Sequence, residues 1–189
     1  SQNTKSITIG TSAIILPYRN PLIIAKMCST LDNFCNGRLI CTVAPGWMEE
    51  EFEILNVEYE GRIPKTIEYV EILKALWTED PSSYEGNYFN FKNVSFHPKP
   101  KQKNLQVWMG GNHNNAIKRS LDHADGWQPI WFSAQELREK ISYLNDYSDK
   151  IGRNLDNFNI SLRNRIRITN KSKKDSGQPE TALIGSKDE

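Results

Sequence analysis

LQVWMGGNHNNAIKRSLDHADGW, residues 105–127, reads as a strand, a tight turn, a helix and the start of a second strand. LQVWMG is a short apolar run, Asn115 to Ala124 is helical, and Gly126 to Trp131 is extended again. A strand, a helix and a strand in that order make a parallel crossover unit.

The alternation continues upstream. ITIGTSAIIL, within residues 6–16, is apolar or small on both faces, as a doubly covered strand should be. Pro21 suits a first helical position, LIIAKMCSTLDNF continues that helix, and Asn36-Gly37 ends it. LICTVA (residues 39–44) is a second buried strand, broken by Pro45-Gly46. MEEEFEIL then opens a short helix whose Glu49, Glu50 and Glu51 suit its positive end. From Pro64 to Trp77, apolar Ile67, Val70, Leu73, Leu76 and Trp77 recur at helical spacing. Residues 82–96 depart from the pattern: Tyr84, Tyr88, Phe89, Phe91 and Phe96 surround Gly86-Asn87, which predicts an inserted β-hairpin.

Downstream, Ser133 and Glu136 form a capping box. The helix after it is expected to bury Leu137, Ile141, Leu144 and Ile151. Phe158 to Thr169 reads as a strand, residues 170–180 as a polar loop, and TALIGS as the start of one more strand. The expected class is α/β, of the (β/α)8 TIM-barrel family. It is an incomplete barrel of five to six parallel strands with a hairpin at 82–96, all in one domain over residues 1–189. A full barrel takes about 250 residues, so with 189 the sheet is open or units are missing.

Composition narrows the function. A net charge of +1 offers no field for nucleic acid or an anionic membrane. No apolar run reaches the roughly 18 residues of a membrane span. The start, SQNTKS, lacks the apolar core of a signal peptide. Cys28, Cys35 and Cys41 are odd in number and lack metal-ligand spacing, as do His97, His113 and His123. Buried free thiols in a reducing compartment follow, so a cytoplasmic protein is expected, with no metal.

Ligands of parallel α/β folds sit at the C-terminal strand ends. Gly10-Thr11-Ser12-Ala13 either lets a flat ring approach the backbone or is a packing notch. Pro45-Gly46-Trp47 places an aromatic where it either stacks on a ligand or packs. Gly110-Gly111-Asn112-His113 runs into a helix start. Its amides make an anion site, with side-chain donors from Asn112, His113 and Asn115, or it is a plain turn. Gly126 removes a side chain at the mouth, and Trp127 lines the pocket or fills the core. Arg163, Arg165 and Arg167 alternate, facing solvent or pairing with helix acids.

Taken together, GTSAIILPYRNP, NGRL, the PGWMEEEF turn, ALWTEDP, SYEGNYFNF and VWMGGNHNNAIKRSLDHADGW resemble the bacterial luciferase-like monooxygenase family over Ile7 to about Ile130. The branch that uses coenzyme F420 is the most similar, with FMN the alternative cofactor. The resemblance implies a TIM barrel holding a flavin-type ring at its mouth and acting on a small organic substrate. It implies a non-prolyl cis bond between Ser12 and Ala13 behind the ring, ring contact at Gly46 and Trp47, and a phosphate clamp at Gly110, Gly111, Asn112 and His113. It names no catalytic residue here.

Departures matter too. Relatives begin with two further β/α units, the second ending in an Asp-His pair, and this chain starts after that point with Ser1. GSKDE looks like the start of a motif that precedes the family's last helix. The expectation is a chain cut at both ends. Trp47 stands where sugar-phosphate dehydrogenases of the family have an acid, which argues against that chemistry. The expected function is a flavin- or deazaflavin-dependent oxidoreductase or monooxygenase. The alternative is a non-catalytic flavin-binding protein or an inactive fragment of such an enzyme. Open sheet edges pair readily with other chains, so the isolated chain should form oligomers, a homodimer among them. Light scattering checks this, and a monodisperse, cooperatively melting monomer would contradict it.

Overall fold

The computed structural model describes residues 3–168 and 182–185. Its elements follow the predicted alternation. β1 (Ile9–Gly10) and β2 (Ile14–Ile15) lead through a 3-10 turn at Leu16–Tyr18 into α1 (Pro21–Phe34). β3 (Leu39–Ala44), α2 (Glu49–Ile54) and α3 (Arg62–Thr78) follow. The hairpin is β4 (Ser82–Glu85) and β5 (Asn90–Val94). Then come β6 (Val107–Gly110), α4 (Asn114–His123), β7 (Gly126–Gln128), α5 (Ala134–Ile151) and β8 (Asn159–Ile160). Two further strands, β9 (Arg165–Ile168) and β10 (Ala182–Gly185), complete the described chain.

The main sheet runs β1-β3-β6-β7-β8, with β2 also on β3, and every pair is parallel. Neighbours in space are neighbours in the chain order. A doubly wound sheet would reverse direction at a switch point; this one winds a single way, as a barrel does.

It is also curled. Ser12 lies between β1 and β2, and Gln128 lies on β7, three strand positions away. In a flat sheet those positions stand about 14 Å apart. Ser12 Oγ nonetheless donates to Gln128 Oε1 at 2.5 Å.

Helices cover the convex side. Leu39, Cys41 and Val43 of β3 and Val107 and Met109 of β6 seal against Ile24, Ala25 and Cys28 of α1 and Val70, Leu73 and Leu76 of α3. A second cluster joins Ile117 and Leu121 of α4, Trp127 of β7, Phe132 and Leu144 of α5. Two side-chain caps set helix starts: Asn20 accepts from Leu22 and Ile23 N–H, and Ser133 with Glu136 forms the expected box. Buried Asp32 fixes the entry to β3. It accepts from Leu39 N at 3.3 Å and from the Gln102 main chain and side chain at 2.9 and 2.7 Å.

Four expectations need correction. The strand at residues 6–16 is split into β1 and β2 by a bulge, described below. Phe158 to Thr169 is not one strand. β8 ends at Ile160, a single bridge joins Ile130 to Arg163, and β9 leaves the main ladder to pair in parallel with β10. Ile151, expected inside, is 41 % exposed because Gly152 turns the chain at the very end of α5. The long helix begins at Arg62, two residues ahead of Pro64, so Pro64 sits inside its first turn where its missing N–H costs nothing. The polar loop read at 170–180 lies outside the described residues. Arg163 and Arg165 face solvent as read. Among the described residues no helix is long and apolar enough to cross a membrane.

The hairpin is held by one carboxylate. Glu68 of α3, 7 % exposed, accepts from the main-chain N–H of Asn87, Tyr88 and Phe89 at 2.7–3.1 Å. Gly86 leaves room for it, since a Cβ there would lie 2.5 Å from the Glu68 carboxylate. Hydrogen bonds to a charged group contribute about 1.5–3 kcal/mol each, less where water replaces them. Glu68→Ala should therefore cost about 2–3 kcal/mol and make residues 82–96 the first site of protease cleavage. Denaturant melts and limited proteolysis check this; an unaltered hairpin would show the anchor to be dispensable.

Candidate functional site

The bulge in the first strand is a matter of register. Gly10 pairs with Ile40 and Ile14 with Val43, so β1–β2 carries one residue more than β3 over the same span. Thr11 fills the gap: its Oγ1 donates to Thr42 O at 2.8 Å and accepts from Thr42 N at 2.9 Å. The Ser12–Ala13 peptide that follows is cis, at the bond the family resemblance implied. Ser12 and Ala13 are both exposed on the rim, and Ser12 O also accepts from Arg163 Nη1 at 3.3 Å.

Next to it stands the turn after β3. Gly46 has φ +82° and no space for a side chain, since a Cβ would meet the Phe52 ring at 2.8 Å and Ile15 at 2.9 Å. The glycine is thus demanded by packing. Its carbonyl accepts from Arg62 Nε at 3.3 Å. Trp47 is 77 % exposed, and among the described residues only its carbonyl is engaged, by Tyr59 Oη at 3.2 Å. Arg62 lies over the Tyr59 ring at 3.5 Å. Tyr18 Oη donates to Glu51 at 2.8 Å; burial, then that bond and the Glu51 charge, push its pKa up to about 12.

The β6–α4 turn completes the rim. Ile15, Ala44, Gly110 and Gln128 form one row across the C-terminal ends of four strands. A Cβ on Gly110 would find ordinary contacts, 3.6 Å from Ala44 and 3.7 Å from Gln128 O. Packing does not require this glycine; its absence of a side chain keeps a shelf open. Gly111 differs. Its φ is +136°, a Cβ would sit 2.7 Å from that of Ala116, and its carbonyl accepts from Trp127 Nε1 at 2.7 Å. A side chain at Gly111 would strike α4.

Asn112 is engaged within the chain. Its amide clamps Ile130 at both ends, Nδ2 to the carbonyl at 2.9 Å and Oδ1 from the N–H at 3.1 Å, so it ties two loops together. His113 is the N-cap residue of α4 and is exposed, but it provides no side-chain cap. The amides of Asn114 and Asn115 stand at an uncapped helix end. This end fits an anion.

Trp108 was not singled out from the sequence. The alternation in VWMG is the signal: Val107 and Met109 join the convex core and Trp108 takes the other face. Its Nε1 donates to Gln106 Oε1 at 3.0 Å, which also accepts from Asn159 at 3.2 Å. Gly126 exists for it: a Cβ there would lie 2.6 Å from the indole, so the glycine serves a ring rather than opening the mouth. Trp127 fills the core, fully buried. Thr42, paired with Trp108 across the ladder, keeps a buried hydroxyl with no partner among the described residues. The concave face thus combines an indole, a shelf without side chains and a donor-rich rim, which suits a flat polar ring with an anionic tail. Among the described residues no group of His, Cys, Asp and Glu could hold a metal ion.

Comparison with known proteins gives the family. Residues 1–174 match the luciferase-like monooxygenase family. The chain belongs to that family. It is 28 % identical over 155 residues to an FMNH(2)-dependent dimethylsulfone monooxygenase of Pseudomonas putida, covering 75 % of this chain and 42 % of that protein. Pyrimidine monooxygenase RutA of Acinetobacter baylyi is 27 % identical over 166 residues, covering 82 % and 44 %. Among solved structures, monooxygenase RslO1 from Streptomyces bottropensis superposes with TM-score 0.80 at 18 % identity, over 92 % of this chain and 54 % of that one. The coenzyme F420 dependent tetrahydromethanopterin reductase from Methanopyrus kandleri gives 0.78 at 20 % identity, over 90 % and 53 %. The chain spans less than half the length of these two curated relatives. The relatives of this luciferase-like chain include both FMN- and F420-dependent enzymes.

Gly111→Ala should lower stability by about 1–3 kcal/mol, the usual cost of a residue held in a disfavoured conformation, with or without ligand. Thermal melts check this, and an unchanged melting temperature would mean α4 can shift to admit a Cβ.

Proposed function

We propose that this chain supplies the cofactor-holding part of an oxidoreductase or monooxygenase that uses a flavin or deazaflavin and acts on a small organic substrate. The observation that carries it is the side-chain-free shelf at Gly110, set between Trp108 and the uncapped start of α4. Coenzyme F420 and FMN share the two chemical parts this surface fits, a flat tricyclic ring and a phosphate.

In this reading Ser12 and Ala13 support the ring edge from the bulge, held in place by the Ser12–Gln128 bond. Gly110 lets the ring approach the backbone, and Trp108 floors the cavity. Gly46 and Trp47 border the ring from the next strand, with Trp47 free to fold over it. Gly111 and His113 shape the anion end, Asn112 braces it, and the Asn114 and Asn115 amides meet the phosphate. A bound reduced ring supplies hydride or activates oxygen, and the protein supplies position and field. We assign no general acid or base.

Residues 3–168 are read as one barrel-type domain with the hairpin inserted. The cytoplasm is the compartment that suits three buried free thiols. A homodimer is the partner suggested by Ile23, Met27 and Phe34, exposed along α1.

Fluorescence titration of the full chain with FMN and with coenzyme F420 tests the reading. Wild type should bind at least one of them. Gly110→Leu fills the shelf and should weaken binding at least tenfold, about 1.4 kcal/mol, with an unchanged circular dichroism spectrum. Lys92→Ala, on the hairpin, should bind as wild type. No binding by wild type, or full affinity in Gly110→Leu, would overturn it.

A further inference from the structure

The three cysteines are buried and free, and the fold places them differently. Cys28 lies on the inner face of α1 with Ile24, Ala25 and Asp32. Cys41 lies on the helix side of β3, between Leu39 and Val43. Their Sγ atoms meet at 3.7 Å across the helix–sheet interface. Cys35, the C-cap residue of α1, meets the Asp32 carbonyl instead, at 3.5 Å.

The contact between Cys28 and Cys41 is held from both sides. One turn after Cys28, Asp32 accepts from Leu39 N at 3.3 Å, two residues ahead of Cys41. One turn before Cys28, the Ala25 carbonyl accepts from Trp77 Nε1 at 3.1 Å. β3 is itself paired on both edges. The two sulfurs are therefore kept face to face. A disulfide needs them about 2.05 Å apart, a gap that turns of about 30° in the two χ1 angles close. The two thiols also differ. Cys28 keeps 5 % exposure and Cys41 has none. The bond with Cys41, against burial and the Asp32 charge, brings the Cys28 pKa below the ordinary thiol value, while the same bond and burial push Cys41 well above it. The thiolate is the nucleophile, so Cys28 attacks and Cys41 resolves.

We propose that Cys28 and Cys41 are a modification site, a thiol pair that hydrogen peroxide converts into an intramolecular disulfide locking α1 onto β3. The Cys28 sulfur takes one oxygen of the peroxide. The O–O bond breaks, and the departing hydroxide takes up the proton that Cys28 has shed, forming water. The Cys41 sulfur then attacks the Cys28 sulfenic acid. Its S–O bond breaks, and the hydroxyl leaves as a second water with the Cys41 proton. Each sulfur gives up one electron, and the peroxide is reduced to two waters. A reducing thiol such as dithiothreitol reverses the change. In a reducing compartment the pair rests as thiols and the disulfide is transient. Nothing in this depends on the cofactor reading above.

Peroxide treatment of the folded full chain, followed by denaturation, alkylation and intact-mass measurement, tests this. Untreated wild type offers three thiols to the alkylating agent. After peroxide one should remain, the mass should fall by two hydrogens, and a digest should join the peptides that hold Cys28 and Cys41. Dithiothreitol should restore all three thiols. The oxidised chain should melt higher than the reduced one, because a cross-link between residues 13 apart restricts the unfolded chain. Cys35→Ala should cross-link as fast as wild type. Cys41→Ala should form no cross-link and stop at a Cys28 sulfenic acid that dimedone captures. Cys28→Ala should leave Cys41 open to alkylation. Chain unfolded in urea before peroxide should instead favour the shorter loops through Cys35. Three alkylatable thiols in treated wild type, a native link through Cys35 or between chains, the same pairing in urea as in the folded chain, or an oxidised chain that melts no higher than the reduced one overturns the proposal.

Discussion

Leu39, Cys41 and Val43 are sealed between the sheet and helices α1 and α3, while the peptide groups of the same six-residue strand pair with β1 and β2 on one edge and β6 on the other. β3 is thereby immobilised on one face and both edges. At about 25 cal/mol per Å² of buried apolar surface, that helix-side face stabilises the strand through Leu39, Cys41 and Val43. Its remaining face carries Ile40, Thr42 and Ala44 toward the concave side. The same division repeats in β6 and β7, where Val107, Met109 and Trp127 serve the cores.

The concave surface follows from that division. With the convex side fixed, the sheet can curl only one way, and the Ser12–Gln128 bond across it shows how far it does. Curling brings the bulge of the first strand, the turn after β3, the β6–α4 turn and Arg163 to one rim. Glycines there do three different jobs. Gly46 and Gly111 take left-handed conformations against Phe52 and Ala116, Gly126 yields to the Trp108 ring, and Gly110 alone leaves space for something outside the chain.

Charge is distributed unevenly around the rim. Glu49, Glu50 and Glu51 open α2, and Glu51 is committed to Tyr18. On the α3–α4 side burial and the positive charge of Arg62 both press the Arg119 pKa down, and neither arginine is in an ion pair among the described residues. In a chain with net charge +1, that local excess is not a consequence of composition. It is a product of α3 packing against α4.

Much of the fold was legible in the residues alone. Turn chemistry at Asn36-Gly37 and Pro45-Gly46, the capping box at Ser133 and Glu136, the spacing of Ile67, Val70 and Leu73, and the aromatic cluster around Gly86-Asn87 are local signals. Local signals specify where elements begin, end and turn, and with the family motifs they determined the parallel sheet, the hairpin and the rim of the candidate site. The sequence could not separate a bulged strand from a straight one, because the extra residue exists only in register with β3. Nor could it reveal that Asn112 braces Ile130, that Gly126 serves Trp108, or that Arg119 feels the charge of Arg62. Those are pairings between residues far apart in the chain, and only tertiary structure decided them, because burial and charge act through distances in space that sequence separation does not encode.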